Sequence, residues 1–209
     1  MFGDSPPNIG EGKRPRVQRQ SRLRLEAVLR MAIVVFVRGA NVGGHRRFRP
    51  SLVAQKLARY DVVNVGATGL FVVFNPGLPQ QFRSELLRHL PFETHVVACD
   101  ARDVLALENA SFDDAGDAPD VVRFVSVLTA PVRRPLPKMP FGIPSNDEWY
   151  VKILGHKKPF VLGAYRRHVK TISYLGQIDR ALGVAVTTRN WNTIVAVLKI
   201  LRRRPDDSV

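Results

Sequence analysis

Between Ala32 and Cys99 the chain alternates β-branched apolar runs with amphipathic segments opened by proline, in the order strand, helix, strand, strand, helix, strand. Ala32 to Val37 contains no polar residue, the pattern of a strand buried on both faces. Pro50 suits a first helical position, and Val53, Leu57 and Tyr60 follow it at helical spacing, so one face turns to a core. Val62, Val63 and Val65 form a second strand and Leu70 to Phe74 a third, joined through Gly66, Thr68 and Gly69 in a hairpin. Pro79 opens a second helix with Phe82, Leu86 and Leu90 on one face, and Thr94 to Cys99 reads as a fourth strand. Asp100 is placed to cap a short helix through Val104, Leu105 and Leu107. This order is the split βαβ of a ferredoxin-like plait, in which two helices cover one face of an antiparallel sheet. It predicts such a subdomain over residues 31–112.

The acid- and turn-rich stretch Asp113, Asp114, Gly116, Asp117, Ala118, Pro119, Asp120 breaks the pattern and reads as a solvated linker, since it lacks the ligand spacing of a calcium loop. Residues 119–209 then form a second α/β subdomain. Val121 to Leu128, Trp149 to Leu154, Phe160 to Ala164 and Val184 to Val186 read as strands, and Leu175 to Leu182 as a short helix. Five prolines between Pro131 and Pro144 exclude a regular helix there, so a second plait has lost its first helix or replaced it by a loop. A long C-terminal helix is expected over Arg189 to Arg203, with Trp191, Ile194, Val195, Leu198 and Leu201 in one stripe. The fold class is α+β: two tandem ferredoxin-like (α/β-plait) subdomains, the second irregular, preceded by a tail over residues 1–30. The halves show no residue-by-residue repeat.

Within 209 residues, 45% of them hydrophobic, there is material for packed cores but no apolar run near the roughly 20 residues of a membrane span. A single Cys99 excludes an internal disulfide framework and multi-cysteine metal sites, and it reads as a small core residue. The net charge is +14, of which residues 1–30 carry +4 through seven basic and three acidic side chains. Pro6, Pro7, Gly10, Gly12 and Pro15 with few apolar neighbours predict disorder in this tail to about Ser21. Arg outnumbers Lys by 24 to 8, which suits bidentate phosphate contacts and equally follows from an Arg-rich composition. The expectation is a basic cytoplasmic protein without membrane segment, metal or cofactor, whose partner is an anionic small molecule or nucleic acid. The sequence leaves the oligomeric state open.

Two segments carry candidate chemistry. After the first strand, Arg38-Gly39-Ala40-Asn41-Val42-Gly43-Gly44-His45-Arg46-Arg47 combines glycines, which let successive amides face one oxyanion, with flanking guanidinium groups. It is neither a Walker loop nor a G-x-G-x-x-G fingerprint, and a turn with exposed basic residues is its plain alternative. Before the last helix stands Thr187-Thr188-Arg189-Asn190-Trp191-Asn192-Thr193. Thr188 is positioned as the helix cap, and Arg189 in the first turn opposes the macrodipole unless a bound anion or an acid such as Asp179 offsets it. The histidines show no metal spacing, no Ser sits in a nucleophile elbow, and Gly69-Leu70-Phe71 does not match the aromatic pattern of an RNA-recognition motif.

Taken as a pair, Arg38 to Gly44 and Thr187 to Thr193 resemble the bacterial family called domain of unknown function 1697, over about Met31 to Leu201. The resemblance implies a cytoplasmic protein of two α/β-plait-like subdomains and implies no reaction. Ala40 stands where the family has Ile or Val, and Thr68-Gly69-Leu70-Phe71-Val72-Val73-Phe74 replaces the family's Ser-Gly-Asn-Val-Val-Phe. Three readings stay open. In the leading one, Arg38, Asn41, Gly43, Gly44, Arg189, Asn190 and Asn192 converge on a phosphate-bearing ligand, a nucleotide or nucleic acid. In the second, Arg38 and Arg189 clamp a small phosphorylated metabolite and His45 acts as acid or base. In the third, both motifs are structural.

Overall fold

The computed structural model describes residues 26–40, 48–132 and 135–203. Residues 26–31 are helical (α1) and lead into β1 (Ile33–Val37). There follow α2 (Pro50–Lys56), β2 (Val62–Asn64), β3 (Leu70–Val73), α3 (Pro79–His89), β4 (Val96–Asp100) and α4 (Ala101–Leu105). Proline occupies the first turn of both α2 and α3, where its missing N–H leaves no bond unmade. Asp100 caps α4, its carboxylate accepting from the Arg102 amide. The strands form one antiparallel sheet in the order β2-β3-β1-β4.

The second half supplies β5 (Val121–Leu128), β6 (Phe141–Pro144), β7 (Trp149–Lys157), β8 (Phe160–Arg166), α5 (Thr171–Leu175), α6 (Ile178–Leu182), β9 (Val186–Asn190) and α7 (Trp191–Arg203). The second sheet is also antiparallel, in the order β6-β7-β8-β5-β9. Apart from the edge strand β6, its order β7-β8-β5-β9 repeats β2-β3-β1-β4 of the first sheet. The segment from Pro131 to Pro144 stands where the first half has α2, and α5 with α6 where it has α3.

Side-chain alternation sorts the apolar residues into three layers. Val35, Val37, Phe71 and Val73 face α2 and α3 through Val53, Leu57, Phe82 and Leu86. Their strand neighbours Val34, Phe36, Leu70 and Val72 face the middle layer, where α4 and α7 bring Val104, Ile194, Val197 and Leu201 against Val125, Val127, Phe160 and Leu162 of the second sheet. Phe124, Val151, Ile153 and Val161 pack outward against Ile178 and Leu182. The helices α4 and α7 thus sit between two sheets, and neither sheet keeps a bare face. Cys99 is buried in the middle layer, and burial pushes its thiol up to about 12.

Several boundaries differ from the sequence reading, and the strand β6 within the proline-rich segment is an addition to it. The last helix begins at Trp191 rather than Arg189, because Thr187 and Thr188 continue β9 and the Thr188 hydroxyl bonds Ser126 on β5 instead of capping. Asn190 takes the cap, its Oδ1 accepting from the Asn192 amide. The helix read over Leu175 to Leu182 is confined to α6 (Ile178–Leu182), and a separate short helix, α5 (Thr171–Leu175), precedes it.

Gly163 on β8 is required by close approach. A Cβ there overlaps the Phe124 ring and lies 2.8 Å from the Lys152 carbonyl oxygen. Gly163→Ala is expected to cost about 1–3 kcal/mol through overpacking, read as a lower urea midpoint with unchanged slope.

Candidate functional site

The two arginines singled out in the sequence meet at the junction of the sheets, each reaching across it. Arg189 on β9 is 7% exposed. Its Nη2 donates to the carbonyl oxygens of Val37, at the end of β1, and Thr68, in the β2–β3 hairpin, both at 2.8 Å. Its Nη1 donates to Thr187 Oγ1 at 2.9 Å and to the Thr188 carbonyl at 2.8 Å. Arg38 runs the other way: Nε donates to the Val186 carbonyl at 3.1 Å, and Nη2 pairs with Asp179 Oδ2 at 2.5 Å. Asp179 Oδ1 in turn accepts from the Val186 amide.

The hairpin reaches Arg189 because Gly69 permits it. Gly69 has φ +66°, and a Cβ there would lie 2.9 Å from Val37 Cβ and 3.2 Å from Ala40 Cβ. Only a residue without a side chain lets the Thr68 carbonyl and the end of β1 converge on one guanidinium.

Arg189 has no carboxylate partner among the described residues; four oxygen dipoles surround its charge instead. Burial lowers its pKa to about 10, which leaves it cationic at neutral pH. Its Nε is buried without a partner among the described residues. All four terminal N–H groups are therefore committed to the protein, and the expectation that Arg189 holds a ligand gives way to a bracing role. The expected offset by Asp179 is corrected as well, because that carboxylate pairs with Arg38.

Asn41, Gly43 and Gly44, together with His45 of the enzyme reading, lie outside the described residues. Asn190 and Asn192 border a cleft of about 320 Å³ at the N-terminus of α7. Gly116, Asp117, Arg123 and Arg167 complete its polar lining. Arg123 pairs with Asp117 at 3.0 Å, whereas the exposed Arg167 guanidinium has no hydrogen bond or ion pair among the described residues. Sequence reasoning missed Arg123 and Arg167: one lies inside a strand and the other at a strand end, and neither belongs to a motif. The cleft gathers them because β5, β8 and β9 end together.

A scan of protein-family models and a search of curated proteins gave no match to this chain. Among solved structures, the conserved bacterial protein SP0830 from Streptococcus pneumoniae is similar in fold, with a TM-score of 0.53 and 16% identity. The similarity covers 81% of this chain and 98% of that one. Both are mixed α/β chains, and the likeness concerns the fold alone.

Arg189→Ala is expected to lower stability by roughly 1–3 kcal/mol, because it leaves the buried Val37 carbonyl unpaired. Arg38→Ala, at a half-exposed pair, is expected to cost roughly 0.5–1 kcal/mol. Arg189→Lys recovers little, since one ammonium does not reproduce the planar fork. Equilibrium denaturation of the three variants measures the contrast.

Proposed function

We propose that the protein is a binding module for a phosphate-bearing ligand, a nucleotide or nucleic acid, held in the cleft at the start of α7. The observation that carries this reading is that Asn190 and Asn192, at the N-terminus of α7, line one cleft together with Arg167. The helix spans 13 residues, so its N-terminal partial charge is fully developed and directed at the cleft. Arg167 adds a formal charge and a bidentate fork. Asp117 is held by Arg123, which reduces its repulsion of an incoming anion. Asn41, Gly43 and Gly44 belong to the same reading as a second contact segment.

The reading includes the fold at finer grain. It takes residues 31–112 and 119–209 as tandem ferredoxin-like plaits, as the resemblance to domain of unknown function 1697 implies, in a cytoplasmic protein. The repeated strand order β2-β3-β1-β4 and β7-β8-β5-β9 supports this. So does the placement of α4 after β4 and α7 after β9, each capped by the last residue of the preceding strand, Asp100 and Asn190. Among the described residues, no helix is long and apolar enough to cross a membrane.

A thermal-shift screen of nucleotides and short oligonucleotides against the full chain tests the proposal, since a ligand bound to the native state raises Tm by mass action. Arg167→Ala and Asn192→Asp are expected to weaken the best ligand roughly 10-fold each, consistent with loss of a charge-assisted contact. Both residues are on the surface, so Tm without ligand stays unchanged in Arg167→Ala and does not fall in Asn192→Asp, whose carboxylate suits the first turn of α7. For an oligonucleotide, affinity falls with salt through counterion release. A ligand bound equally by wild type and Asn192→Asp defeats the assignment to this cleft.

A further inference from the structure

The proline-rich segment between β5 and β7 stands in the chain order where the first half has α2. In the first sheet α2 lays Val53, Ala54 and Leu57 against the strands. In the second, the corresponding segment carries Pro131, Pro135, Pro137, Pro140 and Pro144, and its described residues hold no helix before β6. An irregular strap covers less of a sheet than a helix about 10 Å across. Beneath it lies a cavity of about 710 Å³, within the range of small-molecule sites of roughly 300–1,000 Å³. It is more than twice the volume of the cleft at α7 and distinct from it in every lining residue.

The walls are apolar, formed by Leu128, Pro131, Val132, Leu136 and Pro159. No carboxylate stands among the lining residues, and the charge they carry is the exposed Lys158 ammonium. Among the described residues that ammonium has no hydrogen bond or ion pair, whereas Lys157 beside it donates to the Ala106 carbonyl at 3.0 Å. His156 also lines the cavity; burial and the neighbouring Lys158 charge lower its pKa, so its imidazole is neutral at pH 7. An apolar chamber with an unpaired ammonium at its edge, among the described residues, is complementary to a molecule with an apolar body and one negative end. A hydrophobic wall fixes the body and the ammonium selects the charge.

We propose that the cavity under the proline-rich strap binds an amphipathic organic monocarboxylate, its apolar chain against Leu128, Val132 and Leu136 and its carboxylate at Lys158. The site is separate from the phosphate cleft and takes a different chemistry, so either assignment stands without the other.

The experiment titrates the full chain with decanoate, decanol and decyltrimethylammonium below their aggregation concentrations, following displacement of 8-anilinonaphthalene-1-sulfonate fluorescence and Tm. Decanoate is expected to bind with one-to-one stoichiometry at least 10-fold more tightly than decanol, and the ammonium more weakly still. Lys158→Gln, at an exposed position, is expected to lower decanoate affinity about 10-fold while leaving decanol affinity and the ligand-free Tm unchanged. Leu136→Asp, which breaks the apolar wall, is expected to weaken both. Equal binding of the three amphiphiles, or decanoate affinity retained in Lys158→Gln, overturns the proposal in favour of an indiscriminate apolar surface. Absence of binding by all three overturns it outright.

Discussion

The buried guanidinium of Arg189 fixes how the two sheets meet. Apolar contact in the middle layer holds β1, β3, α4, α7 and β5 together, but such contact is nearly indifferent to small rotations and slides. Two bonds from one planar nitrogen to Val37 and Thr68 are not indifferent: they set the end of β1 and the tip of the β2–β3 hairpin at fixed positions relative to β9. A hydrophobic residue of similar volume gives comparable burial without that direction. The exposed counterpart, Arg38 to Asp179 and Val186, adds a second line across the same junction and is screened by solvent. The asymmetry follows from burial: the bond from Arg189 to the Val37 carbonyl is closed to water, and the outer pair is not.

The location of that junction follows from the repeat in strand order. In each sheet the residue after the first strand bonds back to the segment preceding the last, Arg38 N to the His95 carbonyl and Thr129 N to the Ala185 carbonyl. The corresponding helices α4 and α7 follow the opposite ends of β4 and β9, and they pack on each other in the middle. None of this is visible as residue identity between the halves. An antiparallel sheet constrains which positions are apolar and where the chain turns, and many side chains satisfy those conditions. The second half preserves the strand order after replacing a helix by five prolines, because the order depends on strand pairing and not on what crosses the face.

The difference in legibility between the halves has the same origin. Residues 31–112 announce their elements locally: Pro50 and Pro79 at helix starts, the β-branched run before Arg38, and Asp100 as a cap. Around Thr187 to Trp191 local chemistry supports two readings, since threonine serves both as a helix cap and as a strand residue. Ser126 on the neighbouring strand, 62 positions earlier, decides between them. Arg38 and Arg189 were legible as residues that break a local expectation, but their roles were not, because each is satisfied by carbonyls about 150 positions away. A backbone carbonyl leaves no mark in a sequence. Arg123, Arg167 and Lys158 were hidden for the opposite reason: they are ordinary cations until the fold curves a surface around them.

Counting positive charge without pairing it overstates what is free to meet a ligand. Arg38, Arg59, Arg102, Arg123, Arg166 and Arg202 each pair with an acid of the chain, and Arg189 is enclosed by carbonyl and hydroxyl oxygens. Lys152 and Lys157 donate to backbone carbonyls. These seven arginines are thereby engaged within the chain, Arg189 deeply and the others at the surface. What distinguishes a recognition site is an unpaired cation on a concave surface, because an ion pair must be broken before its cation serves a ligand. Arg167 at the polar cleft and Lys158 at the apolar chamber meet that condition on different lining chemistry. The same basic protein thus presents one cation beside a helix N-terminus and another beside a hydrocarbon wall, and in the two proposals it is the lining, not the charge, that separates one site from the other.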